Sequence, residues 1–410
     1  MESGRKDHGQ NIVDKLTKFQ LMQLETCTRC SFCTDYCHAF EELLRPDVDP
    51  ATRARYMLSL VKREKGLKAL LFGPKPVKKE ELEKAAEGIY RCTLCGRCTQ
   101  ACPFGIETKI LWEKLRALVH DSDANPPSLK DVEKSLEELK DPFQLGSDMR
   151  LFWTKKAKLK DAPTKSKADI VYFVGCTSAS HHTVNRTLPN AASQILRHMG
   201  EDWTLLGEKE WCCGCPSIMM GDEETAKQLA LHNVQAVEET GARMVTVSCA
   251  SCYKAFRWEY PKLIGRRLTF EVTHITELIS KYLKEGRIKL EPMHSRITYH
   301  DPCDLSRYGG VTEEPRQILN SITKNFVEMP ENREDTRCCG GGGLLPTIDN
   351  DLRLKSATKR VRQAESVAAE ILTSACPACR ITLAEAATNA GSKIEVLDVA
   401  ELVARQLKLI

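Results

Sequence analysis

The chain carries nineteen cysteines, and eighteen of them fall into four spaced sets. Cys27, Cys30, Cys33 and Cys37 read C-x2-C-x2-C-x3-C, and Cys92, Cys95, Cys98 and Cys102 repeat that pattern, ending in Cys102-Pro103. With this spacing three thiolates on one tight loop reach three irons of a 4Fe–4S cube, while the fourth ligates the other cube of a pair. Cys27, Cys30, Cys33 and Cys102 are therefore expected on one cluster, and Cys92, Cys95, Cys98 and Cys37 on the other. Zinc sites use paired C-x2-C units instead, which two full quartets of this kind do not match. One departure is His38, which follows the first quartet where proline would be usual.

The other ten cysteines form two sets of five. Cys176, the pair Cys212-Cys213 before Gly214, Cys249 and Cys252 make the first; Cys303, the pair Cys338-Cys339 before Gly340, Cys376 and Cys379 make the second. The offsets are 303 − 176 = 127, 338 − 212 = 126, 376 − 249 = 127 and 379 − 252 = 127. Matched positions at one offset mean a tandem duplication. Five thiolates exceed what one tetrahedral zinc or an ordinary cube needs, whereas a larger iron–sulfur assembly with a bridging thiolate uses all five. A thioredoxin-like reading of each C-x2-C explains neither the double cysteine nor the leading one. The run GGGG at 340–343 lacks the context of a phosphate loop and reads as close backbone approach to a cluster.

The elements that must hold these residues follow from the pattern between them. Apolar, β-branched runs at 168–176 and 295–303 each end in a cysteine, and runs at 244–249 and 371–376 lead into the two C-x2-C pairs. Helix-like stretches at 223–239 and 349–365 lie between them. Strands alternating with helices predict an α/β domain with a largely parallel sheet and binding loops at the strands' carboxyl ends. The 54 residues between Cys37 and Cys92 include a helical stretch at 53–71, stopped by Gly73-Pro74, so the first module should be all-helical. Its Lys62, Arg63, Lys65 and Lys68 read either as a solvated face or as a docking surface for an acidic partner or membrane protein.

The expected fold is multidomain, α plus α/β: a helical two-cluster module at 1–120, a polar, proline-bearing linker at 121–167, and two α/β repeats at 168–292 and 293–410. At 410 residues, 42% hydrophobic and 28% charged, the chain is globular in composition. A net charge of +4 is too small to argue for nucleic acid. The longest apolar run, 170–176, is far short of a membrane span. The first ten residues have no signal-peptide core, so a cytoplasmic place is expected and the sequon Asn185-Arg186-Thr187 is a chance match.

The duplicated C-x35-CCG-x34-C-x2-C arrangement resembles the CCG-domain iron–sulfur family of heterodisulfide reductases, and its fusion behind a helical two-cluster ferredoxin module resembles that family's D-type polypeptide. The resemblance covers about residues 20 to 400 and extends to Leu71-Phe72-Gly73-Pro74-Lys75, Glu210-Trp211-Cys212-Cys213-Gly214, Tyr299-His300-Asp301-Pro302-Cys303 and Arg337-Cys338-Cys339-Gly340. It implies two cubane and two non-cubane 4Fe–4S clusters. Cys176, Cys212, Cys213, Cys249 and Cys252 match one non-cubane site, and Cys303, Cys338, Cys339, Cys376 and Cys379 the other. Both sets are complete, whereas several relatives have one degraded.

The implied reaction, in anaerobic energy metabolism such as methanogenesis, splits a coenzyme M–coenzyme B type disulfide between the two sites. The implied partners are a membrane protein of cytochrome b type or other electron donor and the disulfide substrate, with the chain peripheral on the inner face of the cell membrane. The alternative is an electron-transfer component of a sulfate-reducer type quinone-linked complex, or of a glycolate- or lactate-oxidising one. His300, three residues before Cys303, is either a proton source or a hydrogen-bonding support; its counterpart is Phe173. Cys215 reads as a buried bystander, and His181-His182 as loop residues near the first site.

Overall fold

The computed structural model describes residues 11–157, 159 and 162–410; the first ten residues, where a signal core would stand, lie outside them. Two compact units result. One comprises the described residues of 11–130 with 216–223 and 342–352; the other comprises those of 131–215, 224–341 and 353–410.

In the first unit the described elements are all helical. Asp49 caps helix Pro50–Lys65 by accepting from the backbone N–H of Ala51 and Thr52, and Pro50 occupies the first turn, where its missing N–H costs nothing. The helix buries Met57, Leu60 and Val61. The sequence suggested one helix over 53–71, but the chain breaks at Gly66. Its N–H closes the helix on Lys62 O, its backbone turns extended, and a short second helix, Leu67–Phe72, follows.

Helices Lys79–Tyr90 and Thr108–Asp121 complete the wall. Buried Arg116 ties distant chain to it, donating to Met219 O at 2.6 Å, Gly343 O at 3.2 Å and Cys92 O at 2.5 Å. Gly343 has φ +65°, and a Cβ there would lie 2.4 Å from Thr93 Cα, so a glycine is required.

Among its described residues the second unit holds seven strands: β1 Ile170–Phe173, β2 Trp203–Thr204, β3 Met244–Val247, β4 Glu271–His274, β5 Ile297–His300, β6 Ile371–Ser374 and β7 Glu395–Asp398. They form a sheet ordered β2-β1-β3-β4 and a sheet ordered β5-β6-β7, with every pairing parallel. The duplication is visible in register: Ile170 pairs with Met244 in one sheet as Ile297 pairs with Ile371 in the other. Among the described residues two isolated parallel bridges, Met293 to Thr323 and Ile297 to Phe326, stand where the second copy would repeat β2. Helix Glu223–Glu239 coincides with the predicted stretch, and Asn350–Ser366 is one residue later than predicted.

The stretch expected to be a linker folds over much of its length. Helices Lys130–Glu138 and Phe152–Lys156 lie there, and Asp141, Arg150 and Trp153 are buried in the second unit. Its lysines set the composition, while the few residues that pack are too sparse to show a period.

Candidate metal centres

The two cysteine quartets lie in loops of matching backbone. Between Cys27 and Cys33, Arg29 and Ser31 both have φ +61°; between Cys92 and Cys98, Leu94 has φ +55° and Gly96 φ +72°. Three of these four are not glycine, and left-handed backbone at such residues is held by its surroundings. The alternation curls each loop inward. A pocket in the first unit is lined by Cys27, Cys30, Cys33 and Cys102, with Ile106 and Trp112 as apolar wall. Cys37 lies near Cys92 and Cys98 instead. The pocket thus gathers the four cysteines that spacing puts on one cluster, Cys37 keeps company with two of the other set, and Cys33 also interacts with Cys98.

Burial first, then the neighbouring Cys98, pushes the Cys33 thiol up to about 12; burial and Cys92 push Cys98 up to about 11. Metal-free thiols so crowded stay protonated, and a bound cation is what would draw off their protons. His38, the departure from the motif, is buried and shares a 2.9 Å hydrogen bond through Nε2 with Thr93 of the other loop. Proline there could not make that link.

In the second unit Cys176, Cys249, Cys303 and Cys376 follow the carboxyl ends of β1, β3, β5 and β6, where open α/β sheets bind ligands. Beyond β1, Gly175 (φ +78°) turns the chain into Cys176, and a Cβ on it would stand 3.0 Å from Cys252 Sγ. Cys249 and Cys376 cap the helices that follow β3 and β6, and Cys252 and Cys379 lie in the first turns of those helices. Helix N-termini favour thiolate, yet hydrogen bonds with Cys213 and Cys249, and burial, push Cys252 well above its ordinary range, and those with Cys339 and Cys376, and burial, do the same to Cys379. Cys176 Sγ is 3.9 Å from Cys212 Sγ, and Cys339 Sγ is 3.4 Å from Cys379 Sγ. Hydrogen bonds from Cys212 and Cys252 draw the Cys213 thiol down to about 7.

The two sets meet. Cys249 and Cys376 are hydrogen-bonding neighbours, which together with Cys379 holds Cys376 well below its ordinary range. Nine of the ten thiols are buried and Cys303 is half-buried. No disulfide forms among the described residues. Two five-sulfur sets, dry and unbridged, fit iron–sulfur clusters by the chemistry of their donors.

The supports differ between copies. Glu210, 1% exposed, accepts from the backbone N–H of Val174 and Gly175, both at 2.9 Å, and so braces the loop before Cys176. Arg150 donates to Glu210 O at 3.1 Å and pairs with Asp141 at 3.0 Å. In the second copy Asp301 forms a two-pronged pair with buried Arg316 at 2.8 and 2.9 Å, and Thr336 donates to Asp301 O.

His300 stands with Cys339 and Cys379, their ligating atoms all within 4.8 Å of one another. Arg360 Nε donates to His300 Nδ1 at 3.2 Å, so the proton of a neutral ring sits on Nε2. Counting back one repeat, 360 − 127 = 233, and Asn233 is also fully buried. It donates to Cys212 O at 2.9 Å and accepts from Trp211 N at 3.1 Å. Phe173, the counterpart of His300, packs edge-on against Phe256 at 4.8 Å. Cys215 is buried beside the first set, and His181 and His182 stack at 4.7 Å.

Sequence reasoning missed Glu210, Arg150, Asp301, Arg316 and Arg360 as supports. The offset of 127 would have flagged Asn233 and Arg360 together, as unlike polar residues at one repeat position.

The family described as a cysteine-rich domain matches residues 170–257 and 297–384, and the 4Fe-4S dicluster domain matches 23–106. The D-type polypeptide of the heterodisulfide reductase of Methanosarcina acetivorans, named for dihydromethanophenazine and CoB–CoM, is 38% identical over 401 residues, 96% of each chain. A polypeptide of the fumarate reductase (CoM/CoB) of Methanothermobacter marburgensis is 26% identical over 93% of this chain and 72% of its own. An EtfAB:quinone oxidoreductase of Syntrophomonas wolfei is 26% identical over 96% of this chain and 59% of its own. A Helicobacter pylori protein of solved structure shares the fold, with TM-score 0.58 at 11% identity over 96% of this chain and 74% of its own.

Proposed function

Since the chain belongs to the family of D-type heterodisulfide reductase polypeptides, which are iron–sulfur oxidoreductases, we propose that it is the catalytic component that reduces a coenzyme M–coenzyme B type disulfide to two thiols. The observation that carries this reading is the meeting of two complete five-cysteine sets at Cys249 and Cys376. A single electron-relay cluster needs no such pair, whereas cleaving one S–S bond into two held halves does.

The overall reaction takes up two electrons and two protons per disulfide. When bound, the clusters supply single electrons and iron with an affinity for sulfur. Cys27, Cys30, Cys33 and Cys102, and Cys92, Cys95, Cys98 and Cys37, would hold two cubanes. Cys176, Cys212, Cys213, Cys249 and Cys252, and Cys303, Cys338, Cys339, Cys376 and Cys379, would hold two non-cubane clusters. The chain's part is to orient and to exclude water around these buried sulfurs. His300, with its proton on Nε2, is a hydrogen-bond donor that steadies thiolate at Cys339 on the second side, and Phe173 leaves the first side without an equivalent. Among the described residues no helix is long and apolar enough to cross a membrane. On this reading the chain works in the cytoplasm against the membrane's inner face, beside a donor of cytochrome b type or another kind.

Anaerobically prepared protein should hold about 16 irons, four per cluster. Cys213→Ser and Cys339→Ser should each abolish disulfide reduction by reduced viologen while the cubanes still take up electrons, because serine is a poor soft ligand. A second reading, favoured by the quinone-oxidoreductase relative, is an electron-transfer component of a quinone-linked complex. Protein saturating near eight irons, or a Cys213→Ser variant without its own cluster that turns over at the parental rate, would overturn the two-site reading.

A further inference from the structure

Helix Leu67–Phe72 is amphipathic the wrong way round. Its only buried residue is Ala69, while Leu67, Leu70, Leu71 and Phe72 are 74%, 81%, 67% and 85% exposed. Four large apolar side chains on six residues form a patch that a protein surface rarely leaves bare without use. The chain then reverses at Gly73 (φ +83°) and Pro74, and Lys75 N donates to Arg63 O at 3.0 Å. That return brings the basic residues on both arms around the apolar tip.

Arg63 is engaged inward, pairing with Glu81 at 2.7 Å and donating to Pro76 O, and Lys79 pairs with Asp123. Lys62, Lys65, Lys68, Lys75 and Lys78 are exposed around the tip. An apolar tip in a collar of lysines matches a bilayer interface, where the tip enters the acyl boundary and the ammonium groups meet phosphate headgroups. Protein interfaces, by contrast, are depleted in lysine. A second copy fits worse still, since a two-fold contact would set collar against collar.

We propose that Leu67–Phe72 is a lipid-inserting tip that seats the helical unit on an anionic membrane surface. This rests on the peripheral membrane association proposed above and names what is touched: lipid, not the electron-donating protein.

The test is co-sedimentation of the anaerobic full chain with vesicles of phosphatidylcholine and phosphatidylglycerol, against phosphatidylcholine alone, at low and high salt. The parental protein should sediment with the anionic vesicles, and less so at high salt. A Leu70→Ser, Phe72→Ser variant should bind at least about tenfold more weakly, and reversing Lys65 and Lys68 to Glu should cost about fivefold for each lysine. All four positions are exposed, so iron content and thermal unfolding should match the parent. Failure of the parental protein to bind anionic vesicles, or equal binding by the serine variant, overturns the proposal. So does binding only to membranes that carry a protein partner, lost on protease stripping. The viologen assay for disulfide reduction is unaffected by these variants and reports separately on the catalytic reading.

Discussion

Replacing Glu210 by glutamine should loosen the loop that carries Cys176. The carboxylate lies 1% exposed and accepts from Val174 N and Gly175 N at 2.9 Å each, with Arg150 Nε 3.9 Å from its Oε1. An amide offers one oxygen, so one of the two N–H donors would face an NH2 group. A buried donor left without an acceptor costs about 1–3 kcal/mol, and the loss of charge assistance on the other bond about 1 kcal/mol more. Burial pushes the Glu210 carboxyl up against the opposing pull of Arg150 and the two amides, so the neutral amide recovers part of a desolvation cost. The net is about 2–3 kcal/mol. Arg150 keeps Asp141 at 3.0 Å, which limits the loss to that order.

For a unit of this size that corresponds to a fall in Tm of about 4–12 °C. Because the loop leads into Cys176, anaerobic iron analysis should show about four irons fewer, with the cubane signals unchanged. Glu210→Ala, which strands both amides, should be worse on both measures. A glutamine variant that melts with the parent and holds its full iron would refute the claim that this carboxylate braces the first five-cysteine site.

Two further outcomes follow from geometry. Arg360→Gln removes the donor that fixes His300 Nδ1, so disulfide reduction should fall about tenfold or more and its pH profile should shift, at unchanged iron content; an unmoved profile would leave Arg360 only a packing role. For Asp49, burial pushes the carboxyl up, but hydrogen bonds from Thr34, Thr52 and Ala51 together hold it below its ordinary range. A depressed carboxyl stabilises above its unfolded pKa and loses that as pH falls through the folded one. Asp49→Ala should therefore cost about 1 kcal/mol at neutral pH, with the gap to the parent closing below about pH 4; a gap that persists in acid would show that the ionised cap is not its source.

Whatever is local or repeated in this protein could be read from the chain in one dimension. Cysteine spacing is a local code, because three thiolates on one loop can reach one metal site only at certain separations, so the quartets were legible at once. The duplication was legible as an offset, and with it the strand–helix alternation that the parallel sheets display. The all-helical first unit followed from the residues between Cys37 and Cys92, though not the break at Gly66, since glycine's extended turn depends on Lys62 O lying where a Cβ would go.

The supports, by contrast, belong to tertiary packing. Glu210 meets Val174 and Gly175 across about 35 residues of chain, and Arg360 meets His300 across 60. A lone Glu or Arg in a helix-rich chain has no spacing code, because its partner is chosen by how strands and helices stack rather than by its neighbours in sequence. The same holds for Cys249 and Cys376, whose contact across the two copies exists only because both C-x2-C loops emerge from carboxyl ends of strands packed into one unit. Composition also misled where packing was sparse: the lysine-rich stretch at 121–167 read as linker, yet a few of its residues, Arg150 and Trp153 among them, are buried in the fold.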